Sequence, residues 1–118
     1  MRMWRIDPDL LCREHLLGAH VECHMLARSV ELGKTLDGFV DGGLVELHNI
    51  KSEHDAIAGE MLRRGYNHKS PLVLDDKFLS KYKNKGCVSR QKSLTDLCER
   101  CSECRDRINA SRKKEVSV

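Results

Sequence analysis

Apolar positions recur along the first third of the chain at a spacing that one side of a helix can bury. Leu10, Leu17 and Val21 fall on one line and Leu16, Cys23, Leu26 and Val30 on another, so a period near 3.6 predicts a helix with a broad apolar stripe. Asp7-Pro8-Asp9 supplies its start, with Asp7 as the cap, Pro8 at the first helical position and Asp9 near the positive end of the dipole. Gly33 ends it. Gly18, inside the pattern, costs about 1 kcal/mol relative to alanine and predicts a bend or a close contact. The period is then lost across residues 33–49, where Gly33, Gly38, Gly42 and Gly43 read as loop. It returns from Ile50, with Ile57, Ala58, Met61 and Leu62 as the stripe, Arg63 and Arg64 at the negative end and Gly65 as the stop.

Residues 66–92 carry no sustained period and are broken by Pro71 and Gly86. Ser93-Leu94-Thr95-Asp96 resembles a capping box and predicts a third helix with Leu94, Leu97, Cys98, Cys101 and Ile108 inward, fraying over residues 111–118. Strand-like alternation is weak, and there is no repeat. The expected fold class is all-α, with three main helices and long irregular connections around one core. A chain of 118 residues suits one domain rather than two, so residues 1–118 are read as a single compact helical domain.

No apolar run approaches the roughly 20 residues that cross a bilayer, and Met1-Arg2-Met3-Trp4-Arg5 does not lead into a signal-peptide segment. A cytoplasmic protein with no membrane partner is expected. Its six cysteines are then expected to stay reduced. Charge is divided unevenly. Residues 1–60 hold 6 Lys and Arg against 11 Asp and Glu, net −5, while residues 61–118 hold 15 against 7, net +8. Lys77 to Lys92 contains six basic residues and no acid. Such a segment suits a phosphate backbone, and equally a solvated loop.

Two clusters invite a metal. Cys98, Cys101 and Cys104 stand at i, i+3 and i+6, with Cys87 upstream. On one unbroken helix at 100° per residue these thiols do not converge on a single ion, and no second ligand pair stands beside them. Cys98 and Cys101 therefore read as small core residues, and no metal or cofactor is assigned. His20-Val21-Glu22-Cys23-His24 places its glutamate about 200° around the helix from His20, unlike the H-E-x-x-H zinc proteases, where the acid adjoins the first histidine. His20 and His24 read as structural or DNA-facing. Glu22 differs, because it follows His15 by seven positions and shares its face, with Glu14 and Ala19 alongside.

At these residues the sequence resembles a known family, the phage endonuclease V type of pyrimidine-dimer DNA glycosylase and abasic-site lyase. Arg2 directly after the first residue, Glu14-His15-Leu16 and Glu22, Gly33-Lys34, and Glu60-Met61-Leu62-Arg63-Arg64-Gly65-Tyr66-Asn67 carry the likeness, over about residues 1–70. The resemblance implies a monomer in a prokaryotic or phage-infected cell, acting without a cofactor on damaged double-stranded DNA. It implies that the free α-amine of the chain start is the nucleophile. Such amines titrate at about 7.7–8.0, far below lysine at about 10.4, so part of the population is neutral at cellular pH.

Arg2 would block removal of the initiator, so the amine is assigned to Met1, with Glu22 as its catalytic carboxylate. Arg2, Glu14 and His15 fall on positions that contact DNA or orient the sugar. The family's glutamine before the histidine is Glu14 here, and two family arginines flanking the acid are Val21 and Met25. Lys81, Lys83, Lys85 and Arg90 are expected to supply the phosphate contacts instead. The reading set against this one is a zinc-stabilised helical DNA-binding module without catalysis, using Cys87, Cys98, Cys101 and Cys104.

Overall fold

Asp7 caps the first turn, accepting a hydrogen bond from the Asp9 N–H at 3.0 Å, but the helix it opens is a single 3-10 turn, Pro8–Leu10. The chain straightens at Leu11, and Cys12 makes a second start: its backbone is extended and its sulfur accepts the His15 N–H at 3.5 Å. Helix α1 then runs Arg13–Glu31. The predicted first helix is thus a turn followed by a helix, with a thiol as the cap between them. The computed structural model describes residues 1–82 and 85–116, and they contain helices and no strand.

Helix α1 buries Leu16, Ala19, Cys23, Leu26, Ala27 and Val30 against α3, Ile50–Arg63, which contributes Ile50, Ile57, Ala58 and Met61. Each large aliphatic side chain taken out of water here is worth about 1.5–3 kcal/mol. Two residues assigned to the stripes lie outside them: Val21 is 54% exposed and Leu62 is 60% exposed. The connection between these helices is not all loop, since it forms α2, Asp37–Asp41, and a 3-10 turn, Leu47–Asn49. The basic segment contains α4, Asp76–Lys81.

The predicted third helix is two. Ser89 caps α5, Arg90–Arg100, by accepting the Lys92 N–H, whereas Ser93, assigned that role from sequence, is fully buried within the helix. The chain is extended at Cys101, with φ −137° and ψ 111°, and α6 follows as Ser102–Val116, helical through Ser111 where fraying was expected. The all-α class holds, with six helices among the described residues instead of three.

The N-terminal segment is built into the core. Met3 and Trp4 are buried, and the Met3 N–H donates to the Leu44 carbonyl at 2.7 Å. Arg5 adopts a positive φ of 55°, a conformation that disfavours a side chain. It is held there by buried Glu53, which accepts the Arg5 N–H at 3.1 Å, and by Glu46, which accepts its Nε at 3.0 Å. Burial raises the Glu53 carboxyl above the usual range, with the Arg5 charge acting against it.

Candidate active site

One face of α1 forms the floor of an open cleft of about 370 Å³. His15, Gly18 and Glu22 line it at successive turns, as the seven-residue spacing requires, with Glu14 and Ala19 beside them. Arg2 and Trp4 form a wall from the N-terminal segment, and Arg100 reaches in from the end of α5. Arg2 is fixed in place: its guanidinium lies 3.8 Å over the Trp4 ring and its Nη1 donates to Asp96 of α5 at 3.2 Å. Its Nε is buried without a partner in the protein. The cleft therefore joins two carboxylates, an imidazole and two guanidiniums, a set able to handle protons beside an anionic backbone.

Of the site residues expected from sequence, Arg2, Glu14, His15 and Glu22 share this cleft. Met1 does not line it. The chain start lies instead along an adjoining groove with Val21, His24, Met25, Arg28 and Lys34, on the other side of the Val21–Glu22 step of α1. Lys81, Lys85 and Arg90 are exposed and stand outside the cleft lining, while Lys83 lies outside the described residues. Arg100 was missed. The sequence placed it in the middle of a single third helix, whereas the structure ends α5 there, so no local signal pointed to its place in the cleft.

Residues 1–74 match the family described as pyrimidine dimer DNA glycosylase. The chain belongs to that family. No curated protein and no solved structure matches it. Membership makes DNA the substrate, and among the described residues no helix is long and apolar enough to cross a membrane. The family match ends before Asp96 and Arg100, so in this member of the family Arg100 completes the cleft, and Asp96 holds Arg2, from beyond the matched region.

Two further clusters flank α1 in this member of the family. Four histidines pack together where α1 meets α3: His20 Nε2 and His68 Nε2 are 3.0 Å apart, and the Ser70 carbonyl accepts from both His24 Nε2 and His54 Nε2 at 3.1 Å. His54 is buried, and its other ring nitrogen lies 3.0 Å from an Asp55 carboxylate oxygen. Burial, together with the neighbouring His24, His54 and His68, lowers His20 to about 4, and His24 is lowered by burial and by His54. His20, His54 and His68 bring ring nitrogens within 4.8 Å of one another, but this set is already hydrogen-bonded within itself and to Ser70.

The second cluster corrects the reading of the cysteines. Because the helix breaks at Cys101, the thiols are not spread around one cylinder: Cys101 and Cys104 turn together toward Cys12 and His15, and the four donor atoms lie within 4.8 Å of one another. Cys98 and Cys87 stand apart from this set. Burial pushes the Cys104 thiol up to about 12, and the Cys104 N–H holds Cys101 below the usual thiol range. The pair that faces Cys101 and Cys104 is Cys12-x2-His15, near the other end of the chain.

Proposed function

We propose that the protein excises damaged pyrimidines from double-stranded DNA as a monomer and cleaves the strand at the resulting abasic site, with the Met1 amine and Glu22 as its catalytic pair. The observation that supports this reading best is the placing of Glu22 in an open cleft with Arg2, His15 and Arg100, beside the groove that holds the chain start. The neutral amine attacks C1′ of the damaged nucleotide as the bond from C1′ to the base breaks and the base leaves with a proton; the amine then sheds one proton, and opening of the C1′–O4′ bond, with O4′ taking a proton, leaves an iminium. Glu22 stabilises the cationic sugar and transfers protons. Loss of a proton from C2′ then expels the 3′ phosphate by β-elimination, and water releases the sugar from the amine.

The other cleft residues have matching roles. Arg2 and Arg100 face the phosphates, His15 and Glu14 orient the sugar, Lys81, Lys85 and Arg90 hold flanking backbone outside the cleft, and Lys83 is assigned to the same backbone contacts. A stacked base cannot reach an amine, so the duplex is distorted or the nucleotide flipped on binding.

Borohydride in the presence of a duplex carrying an abasic site or a pyrimidine dimer tests the pair. A covalent adduct mapped to the Met1 nitrogen is expected, abolished by an uncleaved N-terminal extension. Glu22→Gln should lower single-turnover cleavage at least about 100-fold while leaving duplex affinity within a few-fold. Wild-type turnover by Glu22→Gln, or an adduct on a lysine, would remove the assignment. The non-catalytic module forms no adduct under any of these conditions.

A further inference from the structure

We propose that Cys12, His15, Cys101 and Cys104 form a structural zinc site that fastens the start of α1 to the break between α5 and α6. Each half is a two-residue-spaced pair on its own turn, and two such pairs from separate turns make up a tetrahedral zinc site. Cys12 Sγ and Cys101 Sγ lie 3.8 Å apart. That is about the edge of a tetrahedron with metal–sulfur bonds of about 2.3 Å, and far beyond a disulfide at about 2.05 Å. Cys12 Sγ and His15 Nδ1 are 3.2 Å apart, so the imidazole already presents a nitrogen to the same point.

The backbone around the sulfurs argues the same way. The His15 N–H is directed at Cys12 Sγ at 3.5 Å, the Cys104 N–H at Cys101 Sγ at 3.4 Å, and the Cys12 N–H at Cys104 Sγ at 3.2 Å. In both turns the amide of the fourth residue faces the sulfur of the first. A neutral thiol accepts hydrogen bonds weakly, whereas a thiolate accepts them well, so three amides aimed at three sulfurs suit the anionic form that a metal ligand takes. Four protein ligands with Cys12 and Cys104 buried leave no open position, which makes the site structural and not a Lewis acid for the reaction.

Cys101 directly follows Arg100, and His15 itself lines the cleft, so the metal positions two cleft residues without touching substrate. The site also joins Cys12 and His15, within the family-matched region, to Cys101 and Cys104, beyond it. The site shares His15 with the cleft, but its metal content is measured independently of the glycosylase chemistry proposed above.

Metal analysis and zinc K-edge absorption on the reduced full-length protein test the proposal. One zinc per chain with a shell of three sulfurs and one nitrogen is expected. Cobalt(II) in its place should give intense thiolate-to-metal absorption. Cys101→Ser should weaken binding on the order of 100-fold or more, Cys101→His should restore it, and Cys98→Ser should leave it unchanged. The proposal is overturned by a protein that takes up no zinc either as expressed or after stoichiometric addition. A shell of nitrogen and oxygen alone, which would move the metal to the histidine set, overturns it equally, as does loss of binding in Cys98→Ser.

Discussion

A β-carbon at position 86 would stand 2.1 Å from the Val45 carbonyl oxygen, and φ there is +102°. Only glycine meets both conditions, and this close approach seats the basic segment against the loop that receives the N-terminus. Gly86→Ala should therefore destabilise the protein by about 2 kcal/mol or more, read from urea unfolding. Gly18 is the opposite case. Its sequence position suggested a bend or a close contact, yet α1 runs through it unbroken and an added β-carbon would meet nothing within 4 Å. Gly18→Ala should stabilise by about 1 kcal/mol, a gain visible as a raised Tm. Both glycines are equally legible as breakers along the chain. What separates them is a backbone atom far along the chain in one case and open cleft in the other, and local pattern carries neither.

Among the elements, the end of α3 is tied to the chain's first turn by two arginines, Arg63 through Asp9 and Arg64 through backbone carbonyls. Arg64 Nε donates to buried Glu60 at 2.7 Å and its Nη2 to the Leu11 carbonyl at 2.7 Å, while Arg63 also bonds Glu60. Burial alone would raise the Glu60 carboxyl, but these bonds outweigh it and hold it below the usual range. Arg64→Met should cost about 1.5–3 kcal/mol, the worth of hydrogen bonds to a charged group, measured by chemical denaturation.

The four-histidine junction of α1 and α3 predicts acid sensitivity. His20 titrates at about 6.5 in the unfolded chain and is lowered to about 4 in the fold by burial and by His24, His54 and His68. The unfolded state then binds the proton more readily between these values. The junction's full contribution is present above about pH 6.5 and is lost as pH falls toward about 4. Tm should drop across that window, and His20→Gln should flatten the drop. Helices α1 and α3 were legible because their stripes are long and regular. The broken third helix was not, because a cysteine in extended conformation looks, in sequence, like one more apolar position of the same stripe.

For the molecule as a whole, the family-matched residues 1–74 do not own their core. Leu97, Cys104 and Ile108 are buried with Trp4, Leu11 and Leu16, and Asp96 holds Arg2. A fragment of residues 1–74 should accordingly fail to show a cooperative unfolding transition by circular dichroism. The charge asymmetry belongs to this scale too: Lys85→Glu with Arg90→Glu should weaken duplex affinity and reduce the salt slope by about one for each phosphate no longer neutralised. Unchanged slopes would take the basic segment out of the DNA interface. The cleft itself was half legible, since His15 and Glu22 share a helix face by spacing alone, whereas Arg100 enters it only through packing of the two ends of the chain.

The sulfur that caps α1 meets Cys101, 89 residues further along the chain. During synthesis at about 5–20 residues per second, Cys12 emerges from the ribosome several seconds before that neighbour exists. Through this interval the most N-terminal helix lacks its finished anchor, and an oxidant would find the sulfur accessible. Expression yield in reducing and oxidising hosts should diverge for this chain, and adding cysteine-free sequence to slow the arrival of the second pair should widen the gap.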